Sequence, residues 1–212
     1  MRTIDIRGVP FHLHDNEDIS NAMVRDNDYF EDHILDYFRD NFINDHNTII
    51  DIGANIGNHT QYFARYFNYK QIISFEPIAD NFELLIANTV IYPNIKLYNT
   101  ALSNLCGTVK MQKHWGNWGM HFVTLEGEID IECITLDSLN LQDVTLIKMD
   151  VEEHEPQVFE GAAETIERCK PIIILEDVYQ KYSTLPQLQG YKQVAGWPVD
   201  FTYIYVWEGT DG

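Results

Sequence analysis

The most informative stretch of the chain is TIIDIGANIGNHTQYFARYF, residues 48–67. Its first residues form an apolar run typical of a buried strand, and its last ten repeat apolar side chains at helical spacing. Gly53 and Gly57 lie between the two patterns, where the chain must turn from strand into helix. The following helix N-terminus offers free N–H groups and a positive dipole end, which suit an anionic ligand group. The glycines alone are equally compatible with a tight turn that binds nothing.

Short apolar runs alternate with helical patterns from this stretch onward. The runs QIISFE, NIKLYN, TLIKMD and PIIILE predict strands, whereas ADNFELLIANTV and EPQVFEGAAETIERC predict helices. Such alternation indicates βαβ units and a mostly parallel sheet covered on both faces. GTVKMQKHW and EIDIECITL predict a short antiparallel insertion, and YKQVAGWPVDFTYIYVWEG predicts a strand pair at a sheet edge.

The first 47 residues have a different pattern. TIDIRGVPFHLHD predicts a strand pair that turns at residues 8–10, and YFEDHILDYFRDNF predicts a helix with an aromatic face. We therefore expect residues 1–47 to form an N-terminal cover and residues 48–212 to form the ligand-binding domain.

The composition narrows the class of protein. The chain has 212 residues, of which 45% are hydrophobic, so it can bury a sizeable core. It carries 33 acidic and 14 basic residues, for a formal net charge of −19. A field of that sign repels nucleic acid and anionic membranes, so we expect neither as a partner. The three cysteines show no metal-ligand spacing, and no signal peptide or long apolar run is visible, which predicts a cytoplasmic protein. The oligomeric state stays open.

Ligands of open α/β sheets bind at the carboxyl ends of the strands. Counted from Gly53, the chain reads G-A-N-I-G-N, so Asn55 and Asn58 occupy the second and third glycine positions of a dinucleotide fingerprint. These two asparagines weaken the interpretation that the site binds a nicotinamide dinucleotide. Glu76 ends the second strand, at a place where an acid can accept ribose hydroxyls. The glycine turn and Glu76 together predict a nucleoside with a compact anionic end, a description that S-adenosylmethionine meets.

A second group of polar residues follows the strand TLIKMD. Asp150 ends that strand, and two glutamates and a histidine follow at residues 152–154. Crowded carboxylates raise one another's pKa, so an acid–base or metal-binding role fits this group. The alternative is that the acids after residue 150 only complement the dipole of the next helix.

Several of these segments together resemble a known family. IIDIGANIGNHT, ISFEPIADNFELLIAN, NTALSNLCGTVKM, ITLDSL, LIKMDVEEHEPQVFEGA and PIIILE occur in this order. They resemble the FkbM-type family of S-adenosylmethionine-dependent methyltransferases, over roughly residues 48–177. The resemblance implies a class I methyltransferase fold, a Rossmann-like three-layer sandwich whose seven-stranded, mostly parallel sheet has an antiparallel last strand. It also implies O-methylation of a hydroxyl on a sugar or natural-product-type acceptor, hence a small-molecule or glycan partner.

The resemblance further implies which residues contact the cofactor. The methionine end would lie against Asp51, Gly53, Ala54, Asn55, Gly57, Asn58 and Thr60. The ribose would contact Glu76 and Pro77, and the adenine would lie beside Asn99, Ala101 and Leu102, with Asp150 facing the methyl group. The family pattern usually has glycine where this chain has Glu153, which could narrow the pocket or point into solvent.

The segment HWGNWGMHF, residues 114–122, is the candidate acceptor loop. Asn117 and Gly119 resemble the family's Asn-x-Gly element, and Trp115 and Trp118 beside them could stack on a sugar ring. The alternative is a loop anchored by its tryptophans to the rest of the domain.

The catalytic hypothesis rests on Asp150, Glu152 and His154. We expect His154 to accept the proton of an acceptor hydroxyl and Asp150 to orient the reactants. A divalent metal held by these three residues is an alternative that the sequence does not decide. Two further alternatives are a nicotinamide-dependent oxidoreductase on the same sheet and a binding domain that has lost catalysis.

Overall fold

The structure is a computed structural model that describes residues 1–15, 17–42, 45–112, 122–123, 127–178 and 181–209, with only the backbone at 122–123. The N-terminal segment forms an antiparallel hairpin and two helices. These elements are β1 (Arg2–Ile6), β2 (Val9–Leu13), α1 (Asp18–Asp26) and α2 (Asp32–Asn41).

The remaining chain alternates strands with helices. The strands are β3 (Asp45–Ile52), β4 (Asn68–Phe75), β5 (Ile95–Tyr98), β6 (Ala101–Leu102), β7 (Gly107–Gln112), β8 (Phe122–Val123), β9 (Ile129–Ile134), β10 (Val144–Met149), β11 (Ile172–Glu176), β12 (Tyr191–Trp197) and β13 (Thr202–Trp207). The helices are α3 (Asn58–Tyr66), α4 (Ala79–Thr89), α5 (Glu155–Gly161) and α6 (Ala163–Cys169).

Seven of the described strands form the central sheet, in the order β12-β13-β11-β10-β3-β4-β5. The strands from β11 to β5 run parallel, and β13 runs antiparallel between β11 and β12. The predicted sheet with an antiparallel last strand is therefore confirmed. The predicted insertion is also present, as a small sheet in the order β6-β9-β7-β8 in which β7 and β9 pair antiparallel.

Alternate side chains of the central strands face two separate cores, as the two-residue period of a strand requires. On one face Ile50, Ile147 and Ile173 pack with α5 and α6 residues such as Phe159 and Ile166. On the other face the neighbouring strand residues pack against α3 and the N-terminal segment; the core there includes Ile49, Ile72, Leu146, Ile6, Phe11, Tyr29, Leu35, Phe38 and Phe63. The three-layer architecture follows from these two covered faces.

Three local predictions differ from the structure. The first hairpin turns at Arg7 and Gly8, one residue earlier than expected. Helix α1 was not predicted at all, because its residues are mostly polar. The single helix expected over residues 155–169 is two helices, because the N–H of Ala162 bonds to Phe159 O and Ala162 leaves helical geometry. At that break Gly161 passes the carbonyl oxygen of Ser103 so closely that a Cβ would lie 2.0 Å from it.

Candidate active site

A cavity of about 350 Å³ opens at the carboxyl ends of β3, β4, β10 and β11. Nine of the sequence-predicted site residues line it: Gly53, Asn55, Glu76, Pro77, Ala101, Leu102, Asp150, Glu152 and His154. The N-terminal segment contributes Ile19, Phe30 and Glu31, and the β12–β13 connection contributes Val199, Asp200 and Phe201. The cavity is thus closed by parts of the chain that sequence reasoning had not connected with it.

The position of the Asp150 backbone explains why residue 53, the first glycine of the turn, has no side chain. A Cβ on Gly53 would lie 1.8 Å from Asp150 O, and Gly53 adopts a φ of +75°, which favours glycine. The N–H groups of Gly53 and Ala54 both donate to Phe75 O, at 3.1 and 2.9 Å. Gly57 precedes α3 with a φ of +92°. Side chains are therefore excluded at Gly53 by a neighbouring strand end rather than by a ligand.

Glu76 crosses from the end of β4 to the glycine turn. Its Oε2 accepts the N–H of Asn55 and its Oε1 accepts the N–H of Ile78, both at 2.8 Å. Burial raises the pKa of Glu76 to about 7, although these two N–H donors lower it. Asn99 Nδ2 donates to the carbonyl oxygen of Glu76 at 2.8 Å, so it supports this strand end from outside the cavity.

Asp51 and Thr60 lie behind the cavity and not on its surface, unlike the prediction that they contact the ligand. Both are fully buried, and Thr60 Oγ1 donates to Asp51 Oδ2 at 2.5 Å. The reason is the strand period: Ile50 and Ile52 face one core, so Asp51 between them points to the α3 side. Ala54 and Gly57 likewise do not line the cavity.

Lys148 is the buried cation that sequence reasoning missed. Its Nζ donates to Gly53 O at 2.9 Å and lies 3.3 Å from Asp150 Oδ2 and 3.7 Å from Asp51 Oδ1. Burial lowers the pKa of Lys148, but the charges of Asp150 and Asp51 outweigh this and raise it, so the lysine stays charged. A lysine inside the apolar run LIKM was the signal that could have revealed it.

Carboxyl groups crowd the cavity around Asp150. Burial raises the pKa of Asp150, but Lys148 outweighs it and holds the pKa below its usual range. The charge of Asp150, and then burial, raise the pKa of Glu176 well above neutrality, so Glu176 is protonated and donates to Asp150. Burial and the same charge raise the pKa values of Glu31 and Glu152 to about 8. An ionised Asp150 is thus surrounded by acids that retain protons near neutral pH.

His154 lies at the start of α5 and is only 8% exposed. Its Nε2 lies 3.0 Å from Ser103 Oγ, which orients the ring. Burial lowers the pKa of His154, so the imidazole is neutral at pH 7. No group of three His, Cys, Asp or Glu side chains suited to a metal ion occurs among the described residues. The alternative of a metal held by Asp150, Glu152 and His154 is therefore not supported.

Glu153 and Asn58 have positions that their sequence context did not reveal. Glu153 adopts a φ of +71°, a region that glycine enters readily, and its side chain is 57% exposed and lies 4.0 Å from Lys181 Nζ. It points away from the cavity, so it does not narrow the site. Asn58 accepts the N–H of Phe30 and donates to Phe30 O, both at 3.0 Å, instead of lining the cavity. The predicted acceptor residues Trp115, Asn117, Trp118 and Gly119 lie outside the described residues.

Comparison with known proteins gives the family. A family model described as the methyltransferase FkbM domain matches residues 51–192, two thirds of the chain. This chain belongs to the FkbM methyltransferase family. A hexuronic acid methyltransferase, AglP of Haloferax volcanii, is 28% identical over 130 residues, covering 58% of this chain and 53% of that protein. The chain therefore spans about half the length of this curated relative.

Solved structures share the fold. An FkbM methyltransferase from Methylobacillus flagellatus superposes with a TM-score of 0.57 at 19% identity, covering 78% of this chain and 44% of the other. A ribosomal protein L11 methylase from Lactobacillus delbrueckii gives 0.53 at 9% identity, covering 84% and 78%. At these identities the likeness concerns the fold alone. In the part of the chain that the structure describes, no helix is both long and apolar enough to cross a membrane.

Proposed function

We propose that this protein is an S-adenosylmethionine-dependent O-methyltransferase that acts on a hydroxyl of a sugar or natural-product-type acceptor. The observation that carries the proposal is the position of Glu76. Its carboxylate lines the cavity and is held at 2.8 Å by the N–H of Asn55, within the glycine turn that ends β3. An acid at the end of the second strand, beside the turn at the end of the first, suits the two hydroxyls of a ribose.

The cavity fits a nucleoside better than a dinucleotide. Asn55 occupies the position where a dinucleotide site needs glycine, and its N–H already donates to Glu76. Pro77, Ala101 and Leu102 give an apolar surface beyond Glu76, which suits an adenine ring, and Asn99 supports that edge. No observation favours a nicotinamide cofactor. The family relative that methylates a hexuronic acid supports a sugar-type acceptor, taken as a small molecule or as part of a glycan.

Bound S-adenosylmethionine would supply an activated methyl group, so the protein has to position the acceptor and remove its proton. His154 is the group that accepts the proton of the hydroxyl, because burial lowers the pKa of His154 and leaves its imidazole neutral and able to take up a proton. Ser103 holds the ring in place at 3.0 Å. Asp150, fixed by Lys148, orients the reacting groups at the end of β10. Glu152 lies beside them and completes the acidic end of the cavity. Holding the reactants in a near-attack geometry can lower the barrier by up to about 7–11 kcal/mol.

Thermal unfolding with added ligands tests the proposal. S-adenosylmethionine and S-adenosylhomocysteine, each at about 100 times its dissociation constant, should add about 2.7 kcal/mol of stability. For a chain of this size the midpoint should rise by roughly 5–10 °C. NAD is the matched control and should give no shift. A shift with NAD alone, or none with either adenosyl ligand, would contradict the proposal.

The proton acceptor is tested separately. His154→Ala should lower turnover by about 10²–10⁴-fold without changing S-adenosylhomocysteine affinity. Full turnover of this variant at every pH would show that His154 is not the base.

A further inference from the structure

The N-terminal segment delivers one carboxylate into the cavity on a rigid support. Glu31 precedes α2, and its carbonyl oxygen accepts the N–H groups of Ile34 and Leu35 at 2.9 and 3.1 Å. The preceding residue, Phe30, is bound through both its N–H and its C=O by the side-chain amide of Asn58. Glu31 itself adopts a φ of +58°, which is uncommon for a residue with a side chain. The backbone on both sides of Glu31 is thus fixed, and its side chain reaches the cavity.

The cavity around Glu31 is rich in carboxyl groups, of which Asp150 is ionised while Glu152 and Glu176 have raised pKa values. None of the described residues that line the cavity is lysine or arginine, whereas six are acids: Glu31, Glu76, Asp150, Glu152, Glu176 and Asp200. The Nε2 of His59 lies 3.7 Å from the Glu31 carboxylate, but burial lowers the pKa of His59 to about 3. His59 is therefore uncharged, and the charge of Lys148 is shared with Asp51 and Asp150. Asp200 is bound from the outside by His33, at 3.1 Å.

A cation entering this cavity would favour the ionised form of these acids, because it offsets the burial and the like charge that raise their pKa values. The described residues contain no group suited to a metal ion. The ligand that we propose for the site carries its positive charge on the sulfonium sulfur. With its ribose at Glu76, we place the sulfonium toward Asp150, whose charge raises the pKa values of both Glu31 and Glu152. The thioether that remains after methyl transfer is neutral and gains nothing from these acids.

We infer that Glu31, supplied by the N-terminal segment, is a specificity residue that makes the site prefer the sulfonium substrate over the thioether product. This inference rests on the proposed function of the cavity. Its consequence is that loss of the charge on methyl transfer weakens binding and promotes release of the product.

Isothermal titration with two defined probes, S-adenosylmethionine and S-adenosylhomocysteine, tests the inference at pH 7.5. A unit charge within about 8 Å of an ionised carboxylate, at an effective dielectric constant near 20, gains roughly thirtyfold in affinity. Because Glu31 is partly protonated before binding, we expect S-adenosylmethionine to bind about tenfold more tightly than S-adenosylhomocysteine. Glu31→Gln should reduce that ratio at least about threefold and leave the S-adenosylhomocysteine affinity within about twofold.

The matched control is Asp80→Asn, which removes an exposed acid on α4 outside this cavity and should leave the ratio unchanged. Proton release gives a second readout. Burial and the charge of Asp150 raise the pKa of Glu31 to about 8, and the weaker effects on it come from Lys148, which lowers the pKa, and Asp200, which raises it. His59 lies 3.7 Å from the Glu31 carboxylate, and Glu152 and Glu176 line the same cavity. A bound sulfonium favours the ionised form, so its binding should release protons to the buffer. S-adenosylhomocysteine should release fewer, and Glu31→Gln should reduce the difference, with Glu152 accounting for what remains.

Several outcomes would overturn the inference. Equal affinities for the two ligands in the unmodified protein would mean that the acids do not bind the sulfonium. A cationic acceptor would then be the ligand that these acids bind. A ratio that survives Glu31→Gln would assign the preference to other groups. If added Mg²⁺ raises the affinity for S-adenosylhomocysteine to that for S-adenosylmethionine, the acids bind a metal ion and not the sulfonium. Binding of neither ligand would overturn the proposed function together with this inference.

Discussion

Gly53→Ala places a methyl carbon 1.8 Å from the carbonyl oxygen of Asp150, at a φ of +75°. That distance is 1.2 Å short of the 3.0 Å below which real Cβ contacts essentially never occur. The atom in the way belongs to the backbone of a strand end, so no side-chain rotation relieves the contact. The ends of β3 and β10 therefore have to separate. Asn55, which donates its N–H to Glu76, follows β3, and the candidate catalytic residue Asp150 follows β10.

The expected cost has two parts. A left-handed backbone with a side chain costs about 1–2 kcal/mol. Separating the strand ends also strains the bond from Lys148 Nζ to Gly53 O, a hydrogen bond from a charged donor worth about 1.5–3 kcal/mol. We therefore expect Gly53→Ala to lose about 2.5–5 kcal/mol of unfolding free energy, from these two contributions. The melting midpoint should fall by about 10 °C for a chain of this size.

Gly8→Ala is the matched control. Gly8 has a φ of +89°, and nothing lies within 4 Å of the position its Cβ would take. It should lose only the backbone part, about 1–2 kcal/mol. Urea unfolding of both variants gives the two free energies, and titration with S-adenosylhomocysteine shows whether only Gly53→Ala weakens ligand binding. Equal losses for the two variants would refute the argument that the Asp150 backbone determines the glycine.

Three further predictions concern the groups that support the cavity. Asn58→Ala removes two hydrogen bonds to Phe30 and should lower the free energy of unfolding, measured in urea, by about 1–3 kcal/mol. An unchanged stability would show that these two hydrogen bonds do not hold the N-terminal segment in place. Lys148→Met leaves Asp51 buried without a cation and should cost about 3–5 kcal/mol, part of which Lys148→Met combined with Asp51→Asn should restore. Burial raises the pKa of Glu31 from 4.5 to about 8, so the folded protein binds more protons than the unfolded chain between these values, and stability falls as pH rises from about 4.5 to 8. Urea unfolding at pH 5, 6.5 and 8 should show a smaller decrease for Glu31→Gln, and identical slopes would contradict this.

The sequence predicted the central sheet because β3, β4, β10 and β11 each contain a mostly apolar run of buried residues. Such a run, followed by a helical repeat, leaves few alternatives. The edge strand β5 is shorter and partly exposed, and its place followed from the alternation of strands and helices. The same logic failed at α1, whose residues DISNAMVRD carry little apolar signal. Its start depends on Glu17, whose side chain accepts the N–H groups of Ile19 and Ser20. It also failed at the break between α5 and α6, where Gly161 was a local signal that the helical pattern around it concealed. Gly161 also lies against the backbone of Ser103, a contact that only the folded structure reveals.

The candidate site was predictable only where strand ends define it. The rule that ligands bind at the carboxyl ends of parallel strands located Gly53, Glu76 and Asp150 on one cavity. The rule does not say which face of a strand a side chain takes, so Asp51 was placed on the cavity surface although it lies behind it. Glu31 could not be found this way, because tertiary packing through Asn58 brings it to the site.

The family model covers only part of the residues that line the cavity, and this limits what family membership implies about the ligands. The residues that would bind the nucleoside, from Gly53 to Asp150, fall within the matched range 51–192. Part of the remaining surface comes from outside that range, from Phe30 and Glu31 before it and from residues 199–201 after it. We therefore expect a shared methyl donor, whereas the Haloferax relative supports only the sugar class of the acceptor and not a hexuronic acid in particular. A uronate would bring a second carboxylate beside the ionised Asp150 in a partly buried space, and the lining offers no lysine or arginine to balance it, so this cavity disfavours an anionic acceptor. The acceptor of this protein should be sought among neutral or cationic hydroxyl compounds, and the residues that select it among those two flanking segments.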